Sequence, residues 1–410
     1  MPNYKRTKYA CYYSYLSMSS VFSLPPMLFI TFHEMYGLSF TLLGSLLLIN
    51  FCTQLAIDLV FSFFPKYFNI QKTVRTMPFI TSAGLFIYAL VPHFFPGKAL
   101  AGLIVGTVIF SVSSGLAEVL LSPVVAAIPS ETPEKDMSLL HSLYGWGVVS
   151  VVLISSAFFK IFGTENWVAL TCFWAILPLG ASLLFFLSPM PAMDIGSVSG
   201  GGKQTNKSKT YLLCIVCIFL GACAENTMTG WISSYMEKAL LVPKAAGDVL
   251  GMAVFALLLA GTRTVYAKYG KNIGKTLFFG MCGAAVCYIL AGGVNNVIVG
   301  FIACICTGIC TSMLWPGTLI LLEERVPNPG VAAYALMAAG GDLGAAFAPQ
   351  LLGILVDKFS ASGLAASLCE KYAFTPDQAG LKFGMLCAAV FPILGAIWLL
   401  TKGKVFKKKS

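Results

Sequence analysis

Long apolar runs separated by short polar segments dominate this chain of 410 residues. A helix that crosses the hydrocarbon core of a bilayer needs about 20 apolar residues, and these runs reach that length. They show none of the short alternating segments that are typical of an outer-membrane β-barrel. The pattern therefore predicts twelve membrane-spanning helices, at residues 9–32, 41–64, 74–92, 99–128, 138–162, 167–187, 211–236, 245–267, 274–293, 296–322, 331–356 and 380–401.

The chain also repeats itself at a spacing of 193 residues: three positions recur in a second, diverged copy, as Gly115 and Gly308, Pro123 and Pro316, and Gly147 and Gly340. We expect an all-α membrane protein of two pseudo-symmetric six-helix bundles, residues 1–190 and 211–410. A cytoplasmic linker at 191–210, rich in Gly, Ser and Lys, joins them. Parallel repeats of this kind build carriers with a solute site near the membrane midplane, between the two halves.

Composition agrees with this fold class. Hydrophobic residues make up 57% of the chain and charged residues 11%, against about 25% charged residues in soluble domains. The net charge of +10 does not indicate nucleic-acid binding, because most Lys and Arg residues lie in segments on one side of the predicted helices. The positive-inside rule then places both termini on the cytoplasmic side. We expect the membrane to be a bacterial cytoplasmic membrane. The 13 cysteines are scattered through apolar runs, which predicts buried packing and no metal site.

One polar face stands out in the fourth predicted helix. Ser111, Ser114, Glu118 and Ser122 are spaced by three, four and four residues, which places them on one side of a helix. An ionisable residue inside a membrane span predicts a functional site, so we expect Ser114 and Glu118 to bind solute and Glu118 also to bind a proton. A protonated Glu118 in a hydrogen bond between helices is the structural alternative. The second copy has Thr311 at this position and no charge, and we expect Thr311 to contact solute.

The seventh predicted helix carries a second polar face. Glu225, Thr229 and Ser233 are four residues apart, and Asn226 and Trp231 lie close by. We predict Glu225 as a second proton site, and Glu225, Asn226, Thr229 and Trp231 as solute contacts. The alternative for Glu225 is an ion pair or a hydrogen bond between helices.

Three further charged residues lie within predicted spans. Asp342 lies in the eleventh span among small residues that allow close helix packing. It is a third proton site, part of a cation site, or a structural partner of a neighbouring helix. Asp58 and Arg263 lie towards the cytoplasmic ends of spans two and eight. We predict that both are gating residues, with a packing role as the alternative.

Aromatic residues near these helices indicate how a solute would be held. Tyr144, Trp231 and Trp315 are predicted to stack on the apolar face of a sugar ring. Trp and Tyr also anchor helices at the membrane interface, and we assign that role to Tyr235, near the outer end of its span. The outer segment at 359–381 has room for a short surface helix.

Nearly all of the chain resembles the major facilitator superfamily, and the fourth and fifth predicted helices resemble most the fucose permease-like branch of sugar:proton symporters. Glu118 with Ser122-Pro123, and LLHSLYGWG at 139–147, resemble the branch's acidic residue with Asn-Pro and its glycine-rich fifth helix. Two departures stand beside the match. VFSLPPMLFI at 21–30 lacks the branch's first-helix aspartate, and the loop at 61–72 lacks the family's usual Gly and Asp.

The sequence contains no Walker A, GxSxG or HExxH motif, so it predicts neither an enzyme nor ATP-driven transport. The resemblance implies proton-coupled alternating access. We therefore predict a monomeric symporter, without a cofactor, that takes up a small polar solute, most simply a sugar or polyol. Two alternatives stay open: an exporter of drugs or amphipathic metabolites by proton antiport, and a non-transporting membrane sensor.

Overall fold

The computed structural model describes residues 4–64, 67, 69–131, 133–191, 207–326 and 331–403. Within these ranges the chain is helical and contains no β-strand. The α-helices are α1 (Lys5–Tyr36), α2 (Phe40–Phe63), α3 (Ile70–Phe94), α4 (Ala99–Ala126), α5 (Pro133–Phe162), α6 (Trp167–Phe186), α7 (Lys207–Ser234), α8 (Lys244–Gly247), α9 (Val254–Tyr269), α10 (Ile273–Gly293), α11 (Val297–Thr311), α12 (Leu314–Arg325), α13 (Val331–Ser360), α14 (Gly363–Tyr372), α15 (Pro376–Ala388) and α16 (Val390–Thr401).

Twelve segments of the described chain are long and apolar enough to cross a membrane, which confirms the predicted number. The tenth span, Val297–Leu322, contains α11 and most of α12, and the twelfth, Pro376–Thr401, contains α15 and α16. The short helix expected in the outer segment at 359–381 is α14. The structure is therefore that of an all-α, multi-pass membrane protein.

The chain divides into two compact units. Unit 1 comprises Met1–Leu38 and Ile49–Ser197, and unit 2 comprises Ser39–Leu48 and Val198–Ser410. The start of α2 thus belongs to unit 2. Most of the predicted linker at 191–210 lies outside the described residues, and its boundaries stay a prediction.

Glycines of the repeat occupy matching contacts in the two units. A Cβ on Gly115 of α4 would lie 3.1 Å from a side chain of α2, and one on Gly308 of α11 would lie 2.6 Å from a backbone oxygen of α9. In the same way, Gly147 of α5 faces α1, and Gly340 of α13 faces α7. Glycine lets two helix backbones approach closely. The repeat in the sequence therefore reflects the same helix contacts made twice.

Candidate functional site

Two polar helix faces meet in unit 1, one on α2 and one on α4. Asn50 and Gln54 of α2 and Ser111 of α4 are buried. The hydroxyl of Ser111 donates a hydrogen bond of 2.5 Å to Oδ1 of Asn50, and Nε2 of Gln54 donates one of 3.1 Å to the same oxygen. This shared acceptor fixes the two helices against each other, because a buried polar group is costly unless it is hydrogen-bonded.

A carboxyl group lies farther along each of these two polar faces. Asp58 on α2 is half-buried, Glu118 on α4 is exposed, and the two interact electrostatically. Ser114, one turn before Glu118, is buried, and its hydroxyl oxygen has no hydrogen-bond partner among the described residues. Two neighbouring carboxyl groups repel each other when both are charged. The side chain of Ser122 lies outside the described residues.

Asn50 and Gln54 were not among the site residues predicted from the sequence. Their spacing was visible, since Asn50, Gln54 and Asp58 follow one another at four-residue intervals. That interval places them on one face of a helix. The spacing does not show which helix this face contacts.

Unit 2 brings together two residues that the sequence placed in different roles. Nη2 of Arg263, on α9, lies 3.2 Å from Oε1 of Glu225, on α7. The second carboxylate oxygen of Glu225, Oε2, is buried and accepts no hydrogen bond from the described residues. The ion pair between helices that the sequence left as an alternative for Glu225 is therefore formed.

A break in the tenth span gives Arg263 its second contact. Nε of Arg263 donates a hydrogen bond of 2.8 Å to the backbone oxygen of Ser312, between α11 and α12. In a regular helix this oxygen would accept from the N–H of residue 316, but Pro316 has no N–H and its ring crowds that carbonyl. Pro316 thus frees the carbonyl that Arg263 occupies. A cation is also favourable there, because the carboxyl end of α11 carries partial negative charge.

The guanidinium group of Arg263 opens onto a cavity of about 490 Å³ within unit 2. Its wall is mixed, with charged, aromatic and apolar side chains; the lining residues are Arg263, Tyr266, Gly270, Lys271, Met313, Pro316, Ile320 and Glu324. A cavity of this size is within the range that holds small-molecule ligands. Arg263 therefore both pairs with the carboxylate of Glu225 and lines the cavity.

Several predicted solute contacts make bonds inside unit 2. Asn226 donates to the carbonyl of residue 222 at 3.1 Å, and Thr229 to that of Glu225 at 2.9 Å. Thr311 is buried and donates to the carbonyl of residue 307 at 2.9 Å. Trp231 is 0% exposed, and its indole N–H donates to the carbonyl of Pro349 at 3.0 Å. In this structure Asn226 and Thr229 retain exposed surface, whereas Thr311 and Trp231 have none.

The small-residue stretch of α13 packs closely, as predicted. A side chain at Gly344 would meet the backbone oxygen of Phe219 on α7, and one at Gly341 would meet the ring of Trp315. Asp342 lies between these glycines and is 7% exposed. Trp315 is half-buried against α13, so the predicted site residues Trp315 and Asp342 lie on neighbouring parts of one unit.

The assignment of Tyr235 as an interface anchor is wrong. Tyr235 is 0% exposed, and its hydroxyl donates to the backbone oxygen of Ala291. Tyr235 is the first residue of a π-helical segment, Tyr235–Ala239, and its ring is buried within unit 2. Tyr144, in unit 1, is half-buried with its ring edge-on to Phe22 at 5.7 Å. The gating roles of Asp58 and Arg263 stay predictions.

Comparisons with known proteins agree with this architecture. The sequence matches the family model of the Major Facilitator Superfamily over residues 10–349. In fold it is similar to a bacterial homolog of the human lysosomal transporter Spinster, with a TM-score of 0.75, 13% identity and 98% of each chain covered. It is also similar to the D-xylose–proton symporter, with a TM-score of 0.74, 12% identity, and 95% of this chain and 97% of that chain covered.

A third similar structure is the nucleoside transporter NupG, with a TM-score of 0.68, 13% identity, and 97% of this chain and 98% of that chain covered. No curated protein matched the sequence. Identities this low show a common fold and do not specify the solute. The fucose permease-like branch therefore stays a prediction. The family match covers most of the sequence, and the described residues contain the twelve spans and the repeated glycine contacts. The chain belongs to the Major Facilitator Superfamily of membrane transporters.

Proposed function

We propose that this protein moves a small polar solute, a sugar or polyol, across a bacterial cytoplasmic membrane together with protons, by alternating access. The observation that carries the proposal is the ion pair between Glu225 and Arg263. The carboxylate of Glu225 is largely buried, and its partner Arg263 also donates to the carbonyl of Ser312 and lines the cavity. A proton and a guanidinium group compete for the same carboxylate here.

Protonation of Glu225 would remove its charge and weaken the ion pair. Arg263 would keep its hydrogen bond to Ser312, and its Nη2 would become available to an oxygen atom of a solute in the cavity. Proton binding and solute binding would then favour each other, which is what cotransport requires. In unit 1, Asp58 and Glu118 would take up a second proton at a separate place.

The polar character of both places supports a hydroxylated solute. Amides and hydroxyls lie on the same faces of α2 and α4 as the carboxyl groups of unit 1, and the cavity of unit 2 has Tyr266 and charged groups in its wall. Such groups hydrogen-bond sugar hydroxyls, while aromatic faces stack on sugar rings. One protein of similar fold is a D-xylose–proton symporter, which adds support for a sugar.

Transport in vesicles tests the proposal. Purified protein would be reconstituted in vesicles that contain a pH-sensitive dye, and a panel of radiolabelled monosaccharides and polyols would be supplied under an inward proton gradient. We expect at least one to accumulate with internal acidification. Glu225→Gln and Glu118→Gln should abolish accumulation but retain exchange of labelled for unlabelled solute, because exchange needs no net proton movement.

Glu370→Gln, on the surface helix α14, is the matched control and should transport normally. Normal proton-driven accumulation by both Glu225→Gln and Glu118→Gln would refute the proposed coupling. Flux of no compound in any vesicle would favour the sensor alternative.

A second candidate is export of amphipathic compounds by proton antiport. Met313 and Ile320 line the cavity beside Arg263, so an apolar group would also find contacts there. A panel of drugs tested in the same vesicles with the opposite proton gradient separates the two functions. Proton-coupled movement of drugs without movement of sugars would replace the first proposal with the second.

A further inference from the structure

A second charged cluster lies in unit 2, near the end of α7 that is farther from the 191–210 linker. A π-helical segment, Tyr235–Ala239, follows α7, and α8 leads into another, Asp248–Ala253, before α9 begins. A π-helical turn accommodates an extra residue and occurs frequently at functional sites. The cluster consists of Glu237 in the first segment, Lys244 in α8 and Asp248 in the second segment. It was not predicted from the sequence.

Asp248 is the buried member of the cluster, with 1% of its surface exposed. Ser233 of α7 donates a hydrogen bond to its Oδ1. Its other oxygen, Oδ2, is buried and accepts no hydrogen bond from the described residues. Nζ of Lys244 lies 3.7 Å from Oδ2 and 3.5 Å from a carboxylate oxygen of Glu237.

Two carboxylates therefore share one ammonium group. The charged groups that face Asp248 are Lys244 on α8 and, through Lys244, Glu237 in the first π-helical segment. α11 and the first two turns of α9, which also pack against this region, contain no charged residue. With both carboxylates ionised, Asp248 keeps a negative charge and shares with Glu237 the one ammonium group that balances it, and an ionised carboxylate is costly inside an apolar span.

We propose that Asp248 is a proton-binding residue of this transporter, with Oδ2 as the atom that takes up the proton. The proton would neutralise Asp248 and leave Lys244 paired with Glu237. A metal cation suits the place less well, because such ions need about six oxygen ligands. Beside Oδ2 the structure instead places an ammonium group.

The position of Asp248 relates it to Glu225. Ser233, which holds Asp248, lies eight residues after Glu225 on the same face of α7, with Thr229 between them. Eight residues correspond to about 12 Å along a helix. Asp248 would thus be a second station for protons on the α7 face that carries Glu225. This relation rests on the proposed function, whereas proton binding by Asp248 does not.

Infrared spectroscopy tests the inference without knowledge of the solute. The full-length protein, reconstituted in lipid, would be titrated from about pH 5 to about pH 9, which brackets neutral pH, while the carbonyl band of protonated carboxyl groups is recorded. We expect a titrating band that shifts when carbon-13-labelled aspartate is incorporated. Asp248→Asn should remove the part of that shift which belongs to Asp248. The same part should remain in Asp342→Asn and in Asp58→Asn, where only a contribution from the carboxyl pair of unit 1 is lost.

Labelling of the unsubstituted protein keeps the test valid even where Asp248→Asn fails to fold. Asp248→Glu provides a second variant, which should lose the same part of the labelled-aspartate shift as Asp248→Asn. A labelled-aspartate band that is absent, or that persists unchanged in Asp248→Asn, would overturn the inference. Loss of the band on replacing choline chloride by sodium chloride at constant pH would also overturn it, in favour of a sodium site. None of these spectra depends on transport, so failure of the proposed function would be recognised separately, in the vesicle assay.

Discussion

Replacing Arg263 by methionine tests whether the contacts of this side chain stabilise unit 2. The substitution keeps a long apolar stem but removes both hydrogen bonds, to Glu225 at 3.2 Å and to the carbonyl of Ser312 at 2.8 Å. Ser312 has no helical donor to replace Arg263, because residue 316 is a proline. Both acceptors would thus be left without the donor that they have in the structure.

The magnitude follows from these two losses. Leaving a buried acceptor without its donor costs about 1–3 kcal/mol, and breaking a fully buried ion pair about 3–5 kcal/mol. The side chain of Arg263 is 40% exposed and that of Glu225 17%, so solvent screens the pair and the lower part of the range applies. We expect a loss of about 3 kcal/mol in the free energy of unfolding. For a unit of about 200 residues this lowers the melting temperature by roughly 6–12 °C.

The assay is thermal unfolding of the purified protein in detergent, followed by tryptophan fluorescence. The double variant Glu225→Gln/Arg263→Met should lose less than the sum of the single variants, because the second substitution removes an interaction that is already lost. Lys268→Met, on the same helix, is the control and should change stability by less than about 0.5 kcal/mol. A melting temperature of Arg263→Met within about 2 °C of the unsubstituted protein, or additive effects in the double variant, would refute the reasoning.

Three further predictions concern other contacts. A hydrogen bond from Lys8 holds the pKa of Asp136 below its usual value of about 3.9. This hydrogen bond stabilises the fold fully at pH values above the usual pKa, and its contribution is lost as the pH falls through the lowered pKa. Asp136→Asn should therefore lower the melting temperature slightly at pH 7, by the equivalent of about 0.2–1 kcal/mol, and the difference from the unsubstituted protein should vanish in strong acid; an equal difference at both pH values would contradict this. Asp357 accepts hydrogen bonds of 3.0 and 2.6 Å from the first two backbone N–H groups of α2, so Asp357→Ala should cost about 0.5–2 kcal/mol in thermal unfolding, and no measurable change would count against this capping role. Gly344→Leu should prevent a monodisperse peak in size-exclusion chromatography, because its side chain would meet the backbone of α7, whereas Gly363→Leu, with open space around it, should elute normally.

The sequence by itself determined the spans, the repeat and the polar helix faces. Each of these features is local or periodic: about 20 apolar residues make a span, and intervals of three or four residues place side chains on one face. The face of Ser111, Ser114 and Glu118 was predicted in this way, and that of Asn50, Gln54 and Asp58 could have been. The glycine spacing of 193 residues likewise anticipated that helix contacts would recur in the second unit.

Only the tertiary structure decided which residues meet. The distance from Glu225 to Arg263 depends on the rotation of α7 and α9 about their axes, which a period of 3.6 residues does not record. The carbonyl that holds Arg263 is open because Pro316 interrupts a different helix. Tyr235 and Asp248 are both buried, and each begins a π-helical segment that a 3.6-residue period does not predict. Hydropathy reports the depth of a residue along the membrane normal, whereas a site also depends on which helix its side chain faces.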